Sequence, residues 1–201
     1  MGKLEKVDTL VEGCPEWTTP VFMVDHDAKG VLGRMVCAYG PVNSALEPVS
    51  FPAADPEAAF HACAGRSNHS TCDAIWGFTQ YRLDEETQNL LCICTRQGVF
   101  RWLRLPFGPM PGPAEMQSYV HCRFECLRDA SGERFCNALM DDIKVSSRSF
   151  SEHTAHMGIL CRAAIKRGFE FKLTKCRFNQ PSVVLWGFVC DKHGRRAEPK
   201  K

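Results

Sequence analysis

The step Met140-Asp141-Asp142 lies between an apolar run, Phe135 to Leu139, and a β-friendly stretch, Ile143 to Val145. A chain that passes so abruptly from apolar to doubly acidic and back to β-branched residues turns there. The segment therefore reads as a hairpin with two adjacent carboxylates at its tip. A third acid, Asp73, closes the short segment Ser70-Thr71-Cys72 ahead of an aromatic-rich run. An acidic pair in a turn is ordinarily just solvated. Three acids held on neighbouring strand ends form instead a site for two divalent cations, which can orient a hydroxyl and a phosphate for in-line displacement.

The rest of the pattern is that of an α+β chain. Pro20 to Val24 and Arg34 to Tyr39 read as a β-hairpin around the polar turn Asp25 to Gly33. Pro56 to Ala64 suits a short helix, and Leu90 to Thr95 with Val99 to Leu105 form two strands around Gln97-Gly98. Pro113, at a first-turn position, opens a helix to about Leu127, on which Met116, Tyr119, Val120 and Phe124 recur at helical spacing. The clearest helix runs from Glu152 to Arg167. Ser149 and Glu152 fit a capping box, Gly168 suits its end, and Met157, Leu160, Cys161, Ala164 and Ile165 form the expected core stripe. Phe169 to Leu173 and Val183 to Cys190 supply further strands. This order of elements implies an antiparallel sheet with helices packed on one face.

Composition narrows the partners and the compartment. A net charge of +2 and a pI near 8.0 are too mild to announce a nucleic-acid binder, so template contacts must come from local clusters. The charged N-terminus lacks the apolar core of a signal peptide, and no run approaches a membrane span, which points to a soluble intracellular protein without membrane contact. In that setting the 12 cysteines are reduced thiols. A zinc site drawn from His61, Cys63, His121, Cys122, Cys126 and Cys136 lacks any C-x-x-C knuckle, and these residues read as packing.

Leu105-Pro106-Phe107-Gly108, Pro113-Ala114 and Gln117 precede the acidic hairpin, and Lys172 to Cys176 and Leu185-Trp186-Gly187-Phe188 follow it. In this order and at these separations the chain resembles the reverse transcriptase domain of gypsy-type LTR retrotransposons and retroviruses. The resemblance runs from about Trp17 to the C-terminus. It implies a polymerase palm, with a partial fingers subdomain in residues 1–43 and the remaining fingers and palm in 44–201, ending at the primer-grip hairpin.

The resemblance also implies roles. Asp73, Asp141 and Asp142 would be the catalytic and metal-binding acids, holding two Mg²⁺, or Mn²⁺ in their place. Phe78, five residues after Asp73, stands where the family blocks a ribose 2′-hydroxyl. Phe107 and Gly108 match the turn lining the nucleotide pocket, and Gln117 a polar residue facing template or nucleotide. Arg34 matches the fingers arginine that clamps the triphosphate, and Lys175 the lysine near the leaving pyrophosphate. Trp186, Gly187 and Phe188 match the hairpin that grips the primer end. The implied partners are an RNA or DNA template with its primer, a deoxynucleotide and the rest of a retroelement polyprotein.

The match has gaps. The family's basic fingers turn is here Asp25-His26-Asp27-Ala28, Leu139 replaces an aromatic residue, and no thumb counterpart follows. Two readings of function result: an RNA-directed DNA polymerase of fingers and palm, or a catalytically weak or inactive retroelement-derived palm retained as a nucleic-acid or protein-binding module. The basic residues Lys192, Arg195, Arg196, Lys200 and Lys201 read as a solvated tail, with phosphate contact as the alternative.

Overall fold

A computed structural model describes residues 10–12, 17–26, 31–49, 51, 56–185 and 187–198. In chain order these form β1 (Leu10–Glu12), β2 (Thr19–His26), β3 (Val31–Cys37), α1 (Gly40–Ala45), α2 (Pro56–His61), β4 (Asn68–Asp73), a 3₁₀ turn (Gly77–Gln80), α3 (Glu85–Leu90), β5 (Ile93–Thr95), β6 (Gly98–Trp102), α4 (Gly112–Val120) and a π turn (His121–Glu125). There follow β7 (Cys136–Leu139), β8 (Asp142–Ser147), α5 (Phe150–Arg167), β9 (Arg177–Gln180), β10 (Ser182–Leu185), β11 (Phe188–Asp191) and β12 (Gly194–Ala197). The chain divides into two compact units, Met1–Ser50 with Phe78–Pro113, and Phe51–Gly77 with Ala114–Lys201.

The first unit is built on a five-stranded sheet in the order β1-β6-β5-β2-β3. The expected hairpin is present: β2 and β3 are antiparallel, with Val24 opposite Arg34 and an irregularity before His26. The β2–β5 pair is parallel, Thr19 to Ile93. Cys37, Tyr39, Leu83, Leu91, Ile93, Trp102 and Leu105 form the core. Tyr39 is 2% exposed and donates its hydroxyl to Leu91 O at 2.9 Å, so burial of the ring leaves no unpaired polar group. Leu90, expected to open a strand, instead ends α3. Asp84 caps that helix by accepting from Thr87 N at 2.9 Å, and Glu85 and Glu86 fill its first turn. An aspartate followed by two more acids is the sequence signature of that helix start.

The second unit carries a four-stranded antiparallel sheet, β7-β8-β4-β9, and a three-stranded one, β10-β11-β12. Residues 143–147 of β8 are all buried, so both faces of this strand are covered. Side chains alternate between the faces. Ser147 points to α5, where its Oγ lies 2.8 Å from Nδ1 of His153, whereas Lys144 points away and donates to Ala59 O at 2.5 Å.

Helix α5 has the expected capping box at Ser149 and Glu152 and ends in Gly168 at φ +62°, a left-handed cap that glycine adopts without strain. Its buried face differs from the expected stripe: His153, His156, Leu160 and Ala164 are buried, while Cys161 is exposed and Ile165 is 80% exposed. Hydropathy alone misplaces the face, because the two histidines are buried only by virtue of hydroxyl partners on β4 and β8. Three further segments depart from expectation. Residues 169–173 make only an isolated bridge, Phe171 to Ala74. Val183 to Cys190 is broken into β10 and β11 around Gly187 at φ +79°. The supposed solvated tail contains β12, in which Arg195 pairs with Glu57 at 2.5 Å and lies over the rings of Phe60 and Phe188.

Candidate active site

The acidic hairpin forms as its sequence requires. β7 and β8 are antiparallel, Leu139 faces Asp142, and Met140 and Asp141 make the two-residue connection. Met140 has φ +48°, the positive value that two-residue hairpin loops need to match strand twist. Methionine carries a steric penalty there, and the tip is held from outside. Gln117 on α4 accepts Met140 N–H at 2.8 Å and donates to Ala138 O at 3.0 Å, closing the hairpin with both ends of one amide. Gln117 is only 3% exposed. This hairpin-bracing contact was not legible in the sequence, since nothing local marks a glutamine that reaches a turn 23 residues on.

Asp73 ends β4 directly opposite Asp142 in the antiparallel register, so these two carboxylates leave the sheet on one face. Asp141 is tied in through its backbone, its carbonyl accepting Ala74 N–H at 2.8 Å. The segment after α5 fixes the other side: Lys172 N–H donates to Asp73 O at 2.8 Å, and the following turn brings Lys175 Nζ to 3.1 Å from Asp73 Oδ2. Four of the expected residues, Asp73, Asp141, Asp142 and Lys175, thus meet at one end of this sheet, with Gln117 behind them.

Burial, then the charges of Asp73 and Asp142, raise the Asp141 carboxyl above its ordinary range, and Lys175 partly offsets this. Asp142, open to solvent on its outer side, is raised by desolvation and then by Asp73. Oδ1 of Asp141 is buried with no hydrogen-bond partner among the described residues. Gly77 lies against that carboxylate so closely that a Cβ there would stand 2.0 Å from Oδ1.

The all-oxygen donor set, the mutual repulsion and the orphaned oxygen fit a hard divalent cation. The donor atoms are more widely set than those of a closed single-ion cage: among the described residues, Asp129, Glu152 and His156 are the triad whose ligand atoms all lie within 4.8 Å of one another, and the three hairpin acids are not. An open set suits a site for ions about 3.5–4 Å apart that also take water and phosphate oxygens.

The other expected residues belong to other elements. Phe78 and Phe107 belong to the first unit, with ring centroids 4.8 Å apart. Gly108, at φ +115°, lies against Tyr39 of the same unit, and its carbonyl accepts from Asn43 at 3.0 Å. Arg34 is a β3 residue. Gly187 and Phe188 form the β10–β11 turn, where Phe188 meets Phe60 edge-on at 5.3 Å. Trp186 lies outside the described residues. The zinc candidates form no metal-binding cluster among the described residues.

Comparison with known proteins agrees with this architecture. The family model described as reverse transcriptase (RNA-dependent DNA polymerase) matches residues 37–190. The chain is 31% identical over 214 residues to an uncharacterized protein of Caenorhabditis elegans, covering 100% of this chain and 16% of that protein. It is 28% identical over 176 residues to the enzymatic polyprotein of figwort mosaic virus, covering 87% and 26%. It is 27% identical over 168 residues to the retrovirus-related Pol polyprotein from transposon opus of Drosophila melanogaster, covering 84% and 16%. It therefore spans about a quarter or less of these relatives. The fold is similar to that of the foamy viral protease-reverse transcriptase, solved with double-stranded DNA (TM-score 0.78, 23% identity, 94% of this chain and 32% of that one) and with an RNA/DNA hybrid (TM-score 0.77, 22%, 93% and 24%). With its acidic hairpin, its mixed α+β architecture and a family match across most of its length, the chain belongs to the reverse transcriptase (RNA-dependent DNA polymerase) family.

Proposed function

We propose that this chain is the fingers-and-palm part of an RNA-directed DNA polymerase, adding deoxynucleotides to a primer paired with an RNA or DNA template. The observation that carries the reading is the register of Asp73 against Asp142 at the hairpin tip, with Asp141 beside them offering a buried, unpaired oxygen. Asp73 and Asp141 would hold two Mg²⁺, or Mn²⁺, with Asp142 in support. Bound there, such ions lower the proton affinity of the primer 3′-hydroxyl and neutralise charge on the leaving pyrophosphate.

The chain's own residues do the positioning. Gln117 fixes the hairpin tip, and Gly77 leaves room for the Asp141 carboxylate. Lys175, 3.1 Å from Asp73, is free to turn from that ion pair to a phosphate oxygen once the acid is otherwise engaged. Phe78, packed on Phe107, would press against the sugar and exclude a 2′-hydroxyl, and Gly108 would line the nucleotide pocket. Arg34 would grip the triphosphate with a permanently charged fork. Trp186, Gly187 and Phe188 would hold the primer end. The partners that follow are primer–template, a deoxynucleotide and the remainder of a polyprotein.

The second reading, a palm kept for binding alone, is favoured by Asp25 and His26 on β2, where the family carries basic residues and where an acid would repel a triphosphate. Primer extension on an RNA template with deoxynucleotides and Mg²⁺, beside an Asp141→Asn control, separates the two. Extension abolished by the substitution supports the polymerase. Primer–template binding without extension by the unsubstituted chain assigns the second.

A further inference from the structure

The turn at Asp129 and the start of α5 bring together Asp129, Glu152 and His156, whose ligand atoms all lie within 4.8 Å of one another. Glu152 and His156 are four residues apart on the helix and so share a face. His156 is 3% exposed and stacks on Phe135 at 4.1 Å. Its Nε2 has no hydrogen-bond partner among the described residues, although Asp129 Oδ2 is 3.4 Å away. A buried imidazole nitrogen within reach of a carboxylate, yet misaligned for a hydrogen bond, requires an explanation.

The hydrogen-bond chain behind His156 offers one. Ser147 Oγ lies 2.8 Å from Nδ1 of both His156 and His153, and Nε2 of His153 lies 2.6 Å from Ser70 Oγ, which accepts Asn179 N–H at 3.0 Å. A hydroxyl donates one proton and accepts the rest. Two assignments satisfy every contact, with the protons running in opposite directions along the chain; in one, His153 Nε2–H donates to Ser70, Ser147 donates to His153 Nδ1, and His156 Nδ1–H donates to Ser147. In that assignment His156 Nε2 presents a lone pair toward Asp129, the form in which an imidazole ligates a cation; in the reverse one Nε2–H faces Asp129 Oδ2 at 3.4 Å without hydrogen-bond alignment.

We propose that Asp129, Glu152 and His156 bind a divalent first-row transition-metal ion, Zn²⁺ above all, in a structural site separate from the acidic hairpin. Zinc takes carboxylate oxygen and imidazole nitrogen at about 2.0–2.2 Å, which sets two donors of a tetrahedral ion roughly 3.3–3.5 Å apart. The 3.4 Å separation of His156 Nε2 and Asp129 Oδ2 is that distance. Imidazole selects Zn²⁺ over Mg²⁺. Ser147 plays the part of the outer partner that accepts the other ring N–H of a ligating histidine.

The carboxylates have capacity to spare. Asp129 Oδ1 already accepts from Ser131 and Glu133, which leaves Oδ2 to face the imidazole. Glu152 Oε2 accepts from Arg148 N and Ser149 N and its Oε1 from the Arg148 guanidinium, which leaves a lone pair on Oε1 open. Arg148 lies 3.3 Å from Glu152 and is also bidentate to Glu133 at 2.8 Å on both oxygens, an acid it shares with Arg66 at 2.6 Å. A bound ion would staple the turn at Asp129 to the N-terminal end of α5.

The test uses the full chain, stripped with chelator and titrated with Zn²⁺ by calorimetry. The expected result is one ion per chain, bound at least about tenfold more weakly by Asp129→Asn and by Glu152→Gln and unchanged in Asp141→Asn. No binding, or equal binding by all variants, overturns the site. Should either substitution unfold the chain, the Co²⁺ form of the unsubstituted protein decides. Visible d–d bands that survive a large excess of Mg²⁺, with no near-ultraviolet thiolate band, uphold it. A thiolate band, which would move the ion to cysteine, or displacement by Mg²⁺, which would move it to the hairpin, rejects it.

Discussion

Gly77 lies so close to Asp141 that a Cβ at position 77 would stand 2.0 Å from Oδ1 and 2.8 Å from Cγ of the carboxylate. Gly77→Ala must therefore displace the acid. We expect a destabilisation of about 1–3 kcal/mol, the usual cost of overpacking, in urea denaturation, together with loss of nucleotide addition. A variant with full activity would show that the Asp141 carboxylate does not need its observed position.

Gln117 bridges Met140 N–H and Ala138 O. In Gln117→Leu the shape is nearly kept, but the buried Ala138 carbonyl and the half-buried Met140 N–H lose their partner, at about 1–3 kcal/mol for the buried group and less for the other. Amide exchange at Met140 should accelerate, and turnover should fall more than nucleotide affinity. An effect confined to nucleotide affinity would make Gln117 a nucleotide contact rather than a brace for the tip.

The raised carboxyls of Asp141 and Asp142 make the folded state bind protons more readily than the unfolded chain. Their contribution to stability is therefore lost as pH rises through the unfolded and then the folded value, and above both the cluster is a net destabiliser. Asp141→Asn should raise the Tm at pH 7 while abolishing activity, and the gain should vanish at a pH below the ordinary carboxylate range. A Tm that falls at pH 7 would contradict this sign.

His69, fully buried on β4, has its pKa lowered from 6.5 to about 4 by burial and then by the charge of Lys144. A depressed base stabilises the fold above its unfolded pKa, and that stability is lost as pH falls through the folded value. Between about pH 6.5 and 4 this group alone should impose a slope approaching 1.4 kcal/mol per pH unit on urea-derived stability. A flat profile across that window would show that His69 is protonated without penalty.

The hairpin with its acids was legible because its signal is local: an apolar run, two carboxylates and a β-branched run within eleven residues, Phe135 to Val145. The helix caps were legible for the same reason, Ser149 with Glu152 and Gly168 each acting within one turn. What escaped depends on partners far along the chain. The burial of His153 and His156 follows from Ser70 and Ser147, and the role of Gln117 from a turn 23 residues away. β9 is exposed at all four residues and carries no alternation, so its pairing with β4 left no pattern to read.

Single-turnover addition of one deoxynucleotide to a primer on an RNA template, with protein in excess, examines the acidic site most directly because it does not depend on processivity. The expected result is addition that requires Mg²⁺ or Mn²⁺ and falls at least about a thousandfold in both Asp73→Asn and Asp141→Asn, a loss of about 4 kcal/mol or more of transition-state stabilisation. Addition without a divalent ion, or at an unchanged rate in either variant, would contradict a metal-dependent polymerase centred on these acids.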